Sequence, residues 1–182
     1  MNLNKIDQKG GLRLKNLSNH INPKEPLVTI ITSVFNGEAH LEETILSILN
    51  QNYKNIEYII IDGQSEDTTL DIIKKYEDKI DIWISQKDEG IYYGFNKGLK
   101  LANGDLIGFV NSDDTLTPNA IEILVNYYEK YPSVDFIFGS VKKNWGILHG
   151  YKPWKIHFSW NFYTSHSTGF FIKSSSAKKI GE

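Results

Sequence analysis

The chain has 182 residues, enough for one domain with a hydrophobic core. With 40% hydrophobic and 23% charged residues, its composition is that of a globular protein and argues against a disordered or fibrous chain. The formal net charge of −2 gives no broad attraction to nucleic acid, and the lack of cysteine excludes a disulfide framework and thiol catalysis. These features favour the cytoplasm, with peripheral attachment at the inner membrane face left open.

Residues 1–26 are predicted to form an N-terminal extension. They are polar and have no apolar central run, so we expect neither a signal peptide nor a membrane span there. The first strand is predicted over residues 27–34, where an apolar, β-rich run ends at a Phe-Asn-Gly loop. A helix is predicted over residues 40–51, because the apolar residues of this segment fall on one helical face.

The same alternation of strand and helix continues along the chain. Further strands are predicted over residues 56–61, 80–84, 106–110 and 134–138. Helices are predicted between them over residues 68–76, 91–102 and 119–131. This alternation predicts an α/β fold with a Rossmann-like, mostly parallel sheet flanked by helices, whose ligands bind beyond the carboxyl ends of the strands.

Polar side chains follow four successive strands of this predicted sheet. They are Thr32, Ser33 and Asn36, then Asp62, then Asp88, and finally Asp113 and Asp114. Because the carboxyl ends of parallel strands meet at one edge of a sheet, we expect these side chains to converge. A nucleotide diphosphate needs such a place, with polar groups for its base and ribose and a hard cation that carboxylates hold against its phosphate oxygens.

Each of these acids also has a simpler interpretation. Asp113 and Asp114 suit a cation, yet residues 111–114 can equally be a turn whose acids lie near the positive end of the next helix. Asp62 can accept a hydrogen bond from a pyrimidine N–H or a ribose hydroxyl, or it can be a turn residue, and Asp88 is open in the same way. Two other polar residues are interpreted as turn and helix-capping residues: Ser65 and Asp67.

C-terminal to Gly139 the pattern becomes irregular and rich in aromatic residues. These are Trp145, Tyr151, Trp154, Phe158, Trp160, Phe162 and Tyr163. They can stack on sugar rings, but aromatic residues at this density also form cores and interfaces. The histidines of this region have no metal-ligand spacing, and the chain lacks the glycine-rich phosphate loop, the dinucleotide fingerprint and the Gly-x-Ser-x-Gly elbow.

Three segments, taken together and in order, resemble the family 2 glycosyltransferases of the GT-A fold. They read VTIITSVFNGEAHLEETILSILNQ, YIIIDGQSEDTTLDII and DEGIYYGFNKGLKLANGDLIGFVNSDD. The resemblance covers about residues 27–120. The segments are similar in particular to bacterial enzymes that build surface polysaccharides. It implies a GT-A domain over residues 27–182.

The resemblance also implies roles for individual residues. Those lining the nucleotide pocket would be Thr32, Ser33, Phe35 and Asn36, with Asp62 at the base. We add three further candidates for nucleotide binding: Asp88, Asn111 and Ser112. The NSDD sequence occupies the place of the family's Asp-x-Asp metal motif. Because Asn111 stands where aspartate is more usual, Mg²⁺ or Mn²⁺ would rest on Asp113 together with Asp114.

The segment HSTGFFIKSSSAKKIGE looks like the family's acceptor side, with His166 as the candidate acceptor-side residue. In the family a similar segment precedes an acidic motif that contains the catalytic base. No residue up to Glu182 matches that base, so we expect a domain truncated at its C-terminal end, with the base beyond Glu182.

The leading hypothesis is an inverting transfer of a sugar from a uridine-type nucleotide diphosphate to a saccharide or lipid-linked acceptor, with a divalent metal. The alternative is a catalytically silent nucleotide-sugar-binding or assembly domain. A signalling receiver domain also gathers acids at strand ends, but the chain lacks a convincing arrangement of phosphoacceptor and lysine. Whether the protein forms a homo-oligomer is left open.

Overall fold

The computed structural model describes residues 7–17, 22–143, 146–148 and 167–180. The strands are β1 (Gln8–Gly10), β2 (Val28–Val34), β3 (Ile56–Asp62), β4 (Ile82–Ser85), β5 (Leu106–Phe109), β6 (Phe136–Phe138), β7 (Val141–Lys143), β8 (Gly146–Leu148) and β9 (Phe170–Lys173). The α-helices are α1 (Leu41–Leu49), α2 (Thr69–Lys75), α3 (Ile91–Leu101), α4 (Ala120–Lys130) and α5 (Ser174–Ile180). Short 3-10 helices lie at Leu12–Lys15 and Ser167–Gly169.

Seven of the strands form one mixed sheet in the order β1-β4-β3-β2-β5-β9-β6. The central strands β4, β3, β2 and β5 are parallel, whereas β1 and β9 run antiparallel to their neighbours. Strands β7 and β8 pair separately as a hairpin. The predicted α/β fold with a mostly parallel sheet is confirmed, and the predicted strands correspond to β2–β6 with ends that shift by at most two residues.

Strands β2 and β3 are buried on both sides because helices cover both faces of the sheet. Ile30 and Tyr58 face a core that includes the apolar sides of α1, α2 and α4. Ile31 and Ile59 face the opposite core, which α3 and α5 cover. No helix in the described part of the chain is long and apolar enough to cross a membrane.

Helix α3 packs closely against β2, to which it presents two glycines. A Cβ atom at Gly98 would overlap the side chain of Ile31, and one at Gly94 would overlap the hydroxyl of Ser33. The small residues therefore let the helix approach the strand. Since α3 follows β4, this contact brings the N-terminal end of α3 against the carboxyl edge of the sheet.

The N-terminal residues carry structure that the sequence pattern did not predict. Strand β1 forms one edge of the sheet and pairs antiparallel with β4, and the 3-10 helix that follows buries Leu12. Arg13 donates a hydrogen bond to the carbonyl of Leu101 at 2.8 Å and forms an ion pair with Glu57 at 3.2 Å. This part of the predicted extension is therefore joined to the sheet.

Glu57 is a fully buried carboxylate at the amino end of β3, the edge of the sheet opposite the carboxyl ends of the strands. Besides Arg13, it accepts hydrogen bonds from the Thr29 hydroxyl at 2.6 Å and from the backbone and side-chain nitrogens of Asn103 at 2.8 and 2.7 Å. A buried charge is tolerated only when it is paired and hydrogen-bonded. Arg13 supplies the positive charge of this cluster.

The aromatic residues of the segment predicted after Gly139, seven residues from Trp145 to Tyr163, lie outside the described residues. The predicted acceptor-side role of this segment stays a prediction.

We predict that Arg13→Ala lowers the free energy of unfolding by about 1.5–3 kcal/mol, because it removes a charged hydrogen bond from a buried carboxylate. The matched control is Lys15→Ala, which breaks an ion pair to Glu77 whose two side chains are 48% and 37% exposed. Its effect should be much smaller, since exposed ion pairs contribute little. Urea denaturation of both variants measures the difference. Equal losses would contradict the assignment of Arg13 as the partner of a buried charge.

Candidate functional site

Two adjoining pockets open at the carboxyl edge of the parallel strands. The larger has a volume of about 690 Å³ and the smaller about 380 Å³. They share four lining residues: Ser33, Phe35, Ile91 and Ser112. The larger pocket extends toward the loops after β3 and β4, and the smaller one toward the loop after β5.

The loop after β2 is bonded to the loop after β3. Asn36 adopts the left-handed backbone conformation, with φ of 50°, which asparagine tolerates better than most residues. Its backbone N–H donates to the Ser65 hydroxyl at 2.8 Å, and its side-chain oxygen accepts from the N–H of Glu66 at 2.8 Å. The Gly37 N–H donates to the hydroxyl of Thr69 at 2.8 Å. Asn36 therefore holds the wall of the smaller pocket in place as well as lining it.

Asp67 extends this inter-loop contact. Its carboxylate accepts hydrogen bonds from the backbone N–H groups of Thr69 at 3.0 Å and Glu38 at 3.1 Å. Burial favours a raised pKa for Asp67, but hydrogen bonds from the Thr69 side chain and from backbone N–H groups outweigh it, so the pKa lies below its ordinary value. These contacts agree with the capping role that the sequence indicated for Asp67.

Asp62 lies beneath the pockets and does not line either of them. It is fully buried, and its oxygens accept hydrogen bonds from the hydroxyl groups of Ser65 at 2.5 Å and Ser85 at 2.6 Å. The Ser65 N–H lies 3.2 Å from both carboxylate oxygens. The structure thus places Asp62 among side chains of the β3 loop and the end of β4.

The next residue, Gly63, faces the larger pocket and leaves room for Asp88. A Cβ atom at Gly63 would lie only 3.1 Å from the Oδ1 atom of Asp88. That oxygen accepts a hydrogen bond from the Gly90 N–H at 3.0 Å. Asp88 is therefore one of three acidic residues that line the larger pocket, with Glu66 and Glu89, and its carboxylate occupies the space above a glycine.

Helix α3 begins at the boundary between the two pockets. Gly90 lines the larger pocket, and Ile91, the first residue of α3, lines both. The first N–H groups of a helix have no partners within the helix, and the helix dipole makes this end partly positive. The boundary between the pockets therefore favours an anionic group.

The loop after β5 presents one carboxylate to the smaller pocket. Asp113 is exposed and lines that pocket together with Asn111 and Ser112. Asp114 instead accepts hydrogen bonds through Oδ2, at 2.7 Å from the side-chain nitrogen of Asn111 and at 2.5 Å from the hydroxyl of Thr168. The two adjacent acids are thus in different surroundings.

This donor set fits a cation that binds together with a ligand. Among the described residues, no group of three His, Cys, Asp or Glu side chains could hold a metal ion by itself. Mg²⁺ in phosphate-binding sites is usually held by one or two carboxylates, with substrate phosphates and water completing its coordination. Asp113 supplies one such carboxylate at the edge of the smaller pocket.

The pockets bring together most of the residues that the sequence singled out: Ser33, Phe35, Asn36, Asp88, Asn111, Ser112 and Asp113. Thr32 lies outside them, fully buried, and accepts a hydrogen bond from the Tyr58 hydroxyl at 3.3 Å. His166 lies outside the described residues. Lining residues that sequence reasoning missed include Gly63, Gln64, Lys87, Gly90, Ile91 and His40, whose only sequence signal is that they adjoin a predicted strand end or helix start.

The model of glycosyl transferase family 2 matches residues 29–178, which include both pockets and most of the sheet. The chain belongs to glycosyl transferase family 2. This agrees with the resemblance of the three sequence segments and identifies the domain as that of a glycosyltransferase.

Relatives of this family 2 domain come from several bacteria and from the archaeon Methanocaldococcus jannaschii. An uncharacterized glycosyltransferase of Haemophilus influenzae is 39% identical over 105 residues, which are 56% of this chain and 42% of that protein. The putative teichuronic acid biosynthesis glycosyltransferase TuaG of Bacillus subtilis is 34% identical over 101 residues, 54% of this chain and 40% of that protein. The chain spans between 35% and 42% of the length of the first three curated relatives.

Solved structures share the fold at low sequence identity. TarS 1-349 of S. aureus in complex with UDP-GlcNAc is 20% identical with a TM-score of 0.66, over 85% of this chain and 47% of that one. The mannosyltransferase PcManGT of Pyrobaculum calidifontis, in complex with GDP-Man and Mn²⁺, is 17% identical with a TM-score of 0.69, over 86% and 47%. These likenesses confirm the GT-A type of fold.

We predict that Asp62→Asn lowers the free energy of unfolding by about 1–3 kcal/mol, because an amide group cannot accept all the hydrogen bonds that the buried carboxylate accepts. The matched control is the same substitution at the exposed Asp113, which should leave stability almost unchanged without ligand. Denaturant unfolding of the two variants makes the comparison. If Asp62→Asn is as stable as the native chain, the hydrogen bonds to Asp62 do not stabilise the fold and their assignment is contradicted.

Proposed function

We propose that this domain binds the nucleotide diphosphate of a sugar donor, a uridine nucleotide, across the two pockets, and serves an inverting glycosyltransferase. The observation that carries the proposal is the convergence of an exposed aromatic ring, a helix N-terminus and an exposed carboxylate at one edge of the sheet. These are Phe35, the start of α3 and Asp113. Each suits a different part of the same ligand.

The nucleoside would lie in the larger pocket. Phe35 is 61% exposed although it is aromatic, and it borders both pockets, so its ring is available to stack on a base. Asp88 lines this pocket together with Glu66 and Glu89, and its carboxylate would accept a hydrogen bond from a base N–H or a ribose hydroxyl. Asp62, which the sequence had assigned to the base, would instead hold the surrounding loops through Ser65 and Ser85.

The diphosphate would lie between the start of α3 and Asp113. The N–H groups at the start of α3 favour phosphate oxygens, and Lys87, a lining residue of the larger pocket, would add a positive charge. Asp113 would hold a Mg²⁺ or Mn²⁺ ion that also contacts the phosphates. The bound metal would stabilise the charge that develops on the diphosphate as it leaves.

The reaction we propose is a direct displacement at the anomeric carbon. An acceptor hydroxyl attacks that carbon, the bond to the diphosphate oxygen breaks, and a carboxylate takes the hydroxyl proton. Attack from the side opposite the leaving group inverts the configuration of the sugar. By resemblance to the family, that carboxylate would lie C-terminal to Glu182.

A saccharide or lipid-linked acceptor is the acceptor class that we propose, in the synthesis of a surface polysaccharide or glycoconjugate. The support is the similarity to TuaG, whose name links it to teichuronic acid biosynthesis. The two solved structures described above carry different donors, UDP-GlcNAc and GDP-Man. Binding of UDP and of GDP to this chain is therefore compared directly.

We predict that UDP with Mn²⁺ raises the melting temperature of the chain, because a ligand that binds only the folded state stabilises it. The proposed uridine preference predicts a smaller rise with GDP and Mn²⁺ at the same concentration. Asp113→Ala should abolish the metal-dependent part of this shift. The matched control is Asp78→Ala, an exposed acid in the connection between α2 and β4. Thermal-shift measurements with and without Mn²⁺ test this.

Three results would each contradict a part of the proposal. The absence of a shift with either nucleotide would contradict the pocket assignment. An unchanged metal dependence in Asp113→Ala would place the cation elsewhere, and a stronger response to GDP would overturn the uridine preference alone.

A further inference from the structure

The loop that carries Asp113 is held from two sides by residues distant in the sequence. On one side, the hydroxyl of the buried Thr44 in α1 donates to the carbonyl of Ser112 at 2.9 Å. On the other, the hydroxyl of Thr168 donates to Oδ2 of Asp114 at 2.5 Å. The residues on either side of Asp113 are therefore both fixed, while Asp113 itself is exposed.

Asn111 completes this contact through its side-chain nitrogen, which donates to Asp114 and, at 3.5 Å, to the Thr168 hydroxyl. Its side-chain nitrogen lies 2.7 Å from Oδ2 of Asp114, the same oxygen that Thr168 contacts. A carboxylate oxygen is an acceptor, so the two neighbouring groups must both be donors. The Asp114 N–H also donates to the carbonyl of Asn111 at 3.1 Å, which closes the turn. The residue that departs from the Asp-x-Asp pattern thus has a partner inside the loop.

Thr168 reaches this loop from the C-terminal part of the chain. It is 5% exposed and lies in the 3-10 helix immediately before β9. Strand β9 pairs antiparallel with β5, the strand that leads into the Asp113 loop. The contact between Thr168 and Asp114 therefore joins two segments that are 54 residues apart but meet beside neighbouring strands.

We propose that Thr168 is a positioning residue for the metal ligand, and that it acts through Asp114 and Asn111. In this arrangement Asp113 is the carboxylate that contacts the cation, and Asp114 sets the shape of the turn that presents it. The inference rests on the proposed function, since it takes the cation to bind at Asp113 with the nucleotide. Groups that orient metal ligands typically affect metal affinity by about 10–100-fold.

The test is the Mn²⁺ affinity of the chain saturated with UDP, measured by the electron paramagnetic resonance signal of free Mn²⁺. Thr168→Val keeps the shape of the side chain but removes the hydroxyl donor, and should weaken Mn²⁺ binding about tenfold or more. Thr168→Ser keeps the donor and should restore binding to within about twofold of the native value. The matched control is Thr115→Val, the same change at an exposed residue next to Asp114, which should have no effect.

A second variant keeps the test decisive if Thr168→Val fails to fold. Asp114→Asn weakens the acceptor of the same contact, so it should also weaken Mn²⁺ binding. When both single variants fold, the double variant should lose little more than either alone, because the two residues act through one contact. UDP affinity without metal should stay at the native value in every variant.

The outcomes separate this inference from the proposed function. If Thr168→Val and Asp114→Asn lower thermal stability but leave the Mn²⁺ affinity unchanged, Thr168 is purely structural and the inference is overturned. If Asp113→Asn also leaves Mn²⁺ binding unchanged, the proposed function fails as well. Weakened binding in Asp113→Asn with native binding in Thr168→Val overturns only the positioning role.

Discussion

The buried carboxylate of Asp62 joins the loops on which the candidate site depends. It accepts hydrogen bonds from the hydroxyl groups of Ser65 and Ser85, and the Ser65 hydroxyl in turn accepts from the N–H of Asn36. One charged group thus connects the ends of β2, β3 and β4 at the carboxyl edge of the sheet. A buried carboxylate requires its full set of donors, so the loops that supply them are held together. Gly94 and Gly98 let α3 pack against β2, which places the N-terminus of the helix at the same edge of the sheet.

Periodicity in the sequence was enough to predict the central sheet and its helices, because strands buried on both faces appear as continuous apolar runs such as residues 56–61. It could not predict β1 and β9, which are short antiparallel strands whose position depends on pairing with distant residues. Periodicity also could not predict which polar side chains are buried. The sequence shows Asp62 at a strand end, but only the hydrogen bond from Ser85 shows that the carboxylate faces inward.

The two acids of the β5 loop differ in a way that their adjacency in the sequence conceals. Asp113 and Asp114 are consecutive and chemically identical, and the sequence grouped them as one metal site. In the structure one lines the smaller pocket and the other accepts hydrogen bonds from Asn111 and Thr168. A site with one exposed carboxylate beside a helix N-terminus binds a cation weakly by itself and more strongly with a diphosphate, which matches the chemistry of a nucleotide-sugar donor. Membership of glycosyl transferase family 2 supports that reading.

The central claim is that a nucleotide diphosphate and its cation bind together between Asp113 and the start of α3. Paramagnetic broadening by Mn²⁺ in the presence of UDP tests it most directly, because broadening of backbone amide signals in NMR spectra falls steeply with distance from the ion. The account predicts the strongest broadening at residues 111–114 and at the first turn of α3, with little effect near Glu57 at the opposite edge of the sheet. Broadening centred on any other part of the chain, or broadening that is the same without UDP, would contradict it.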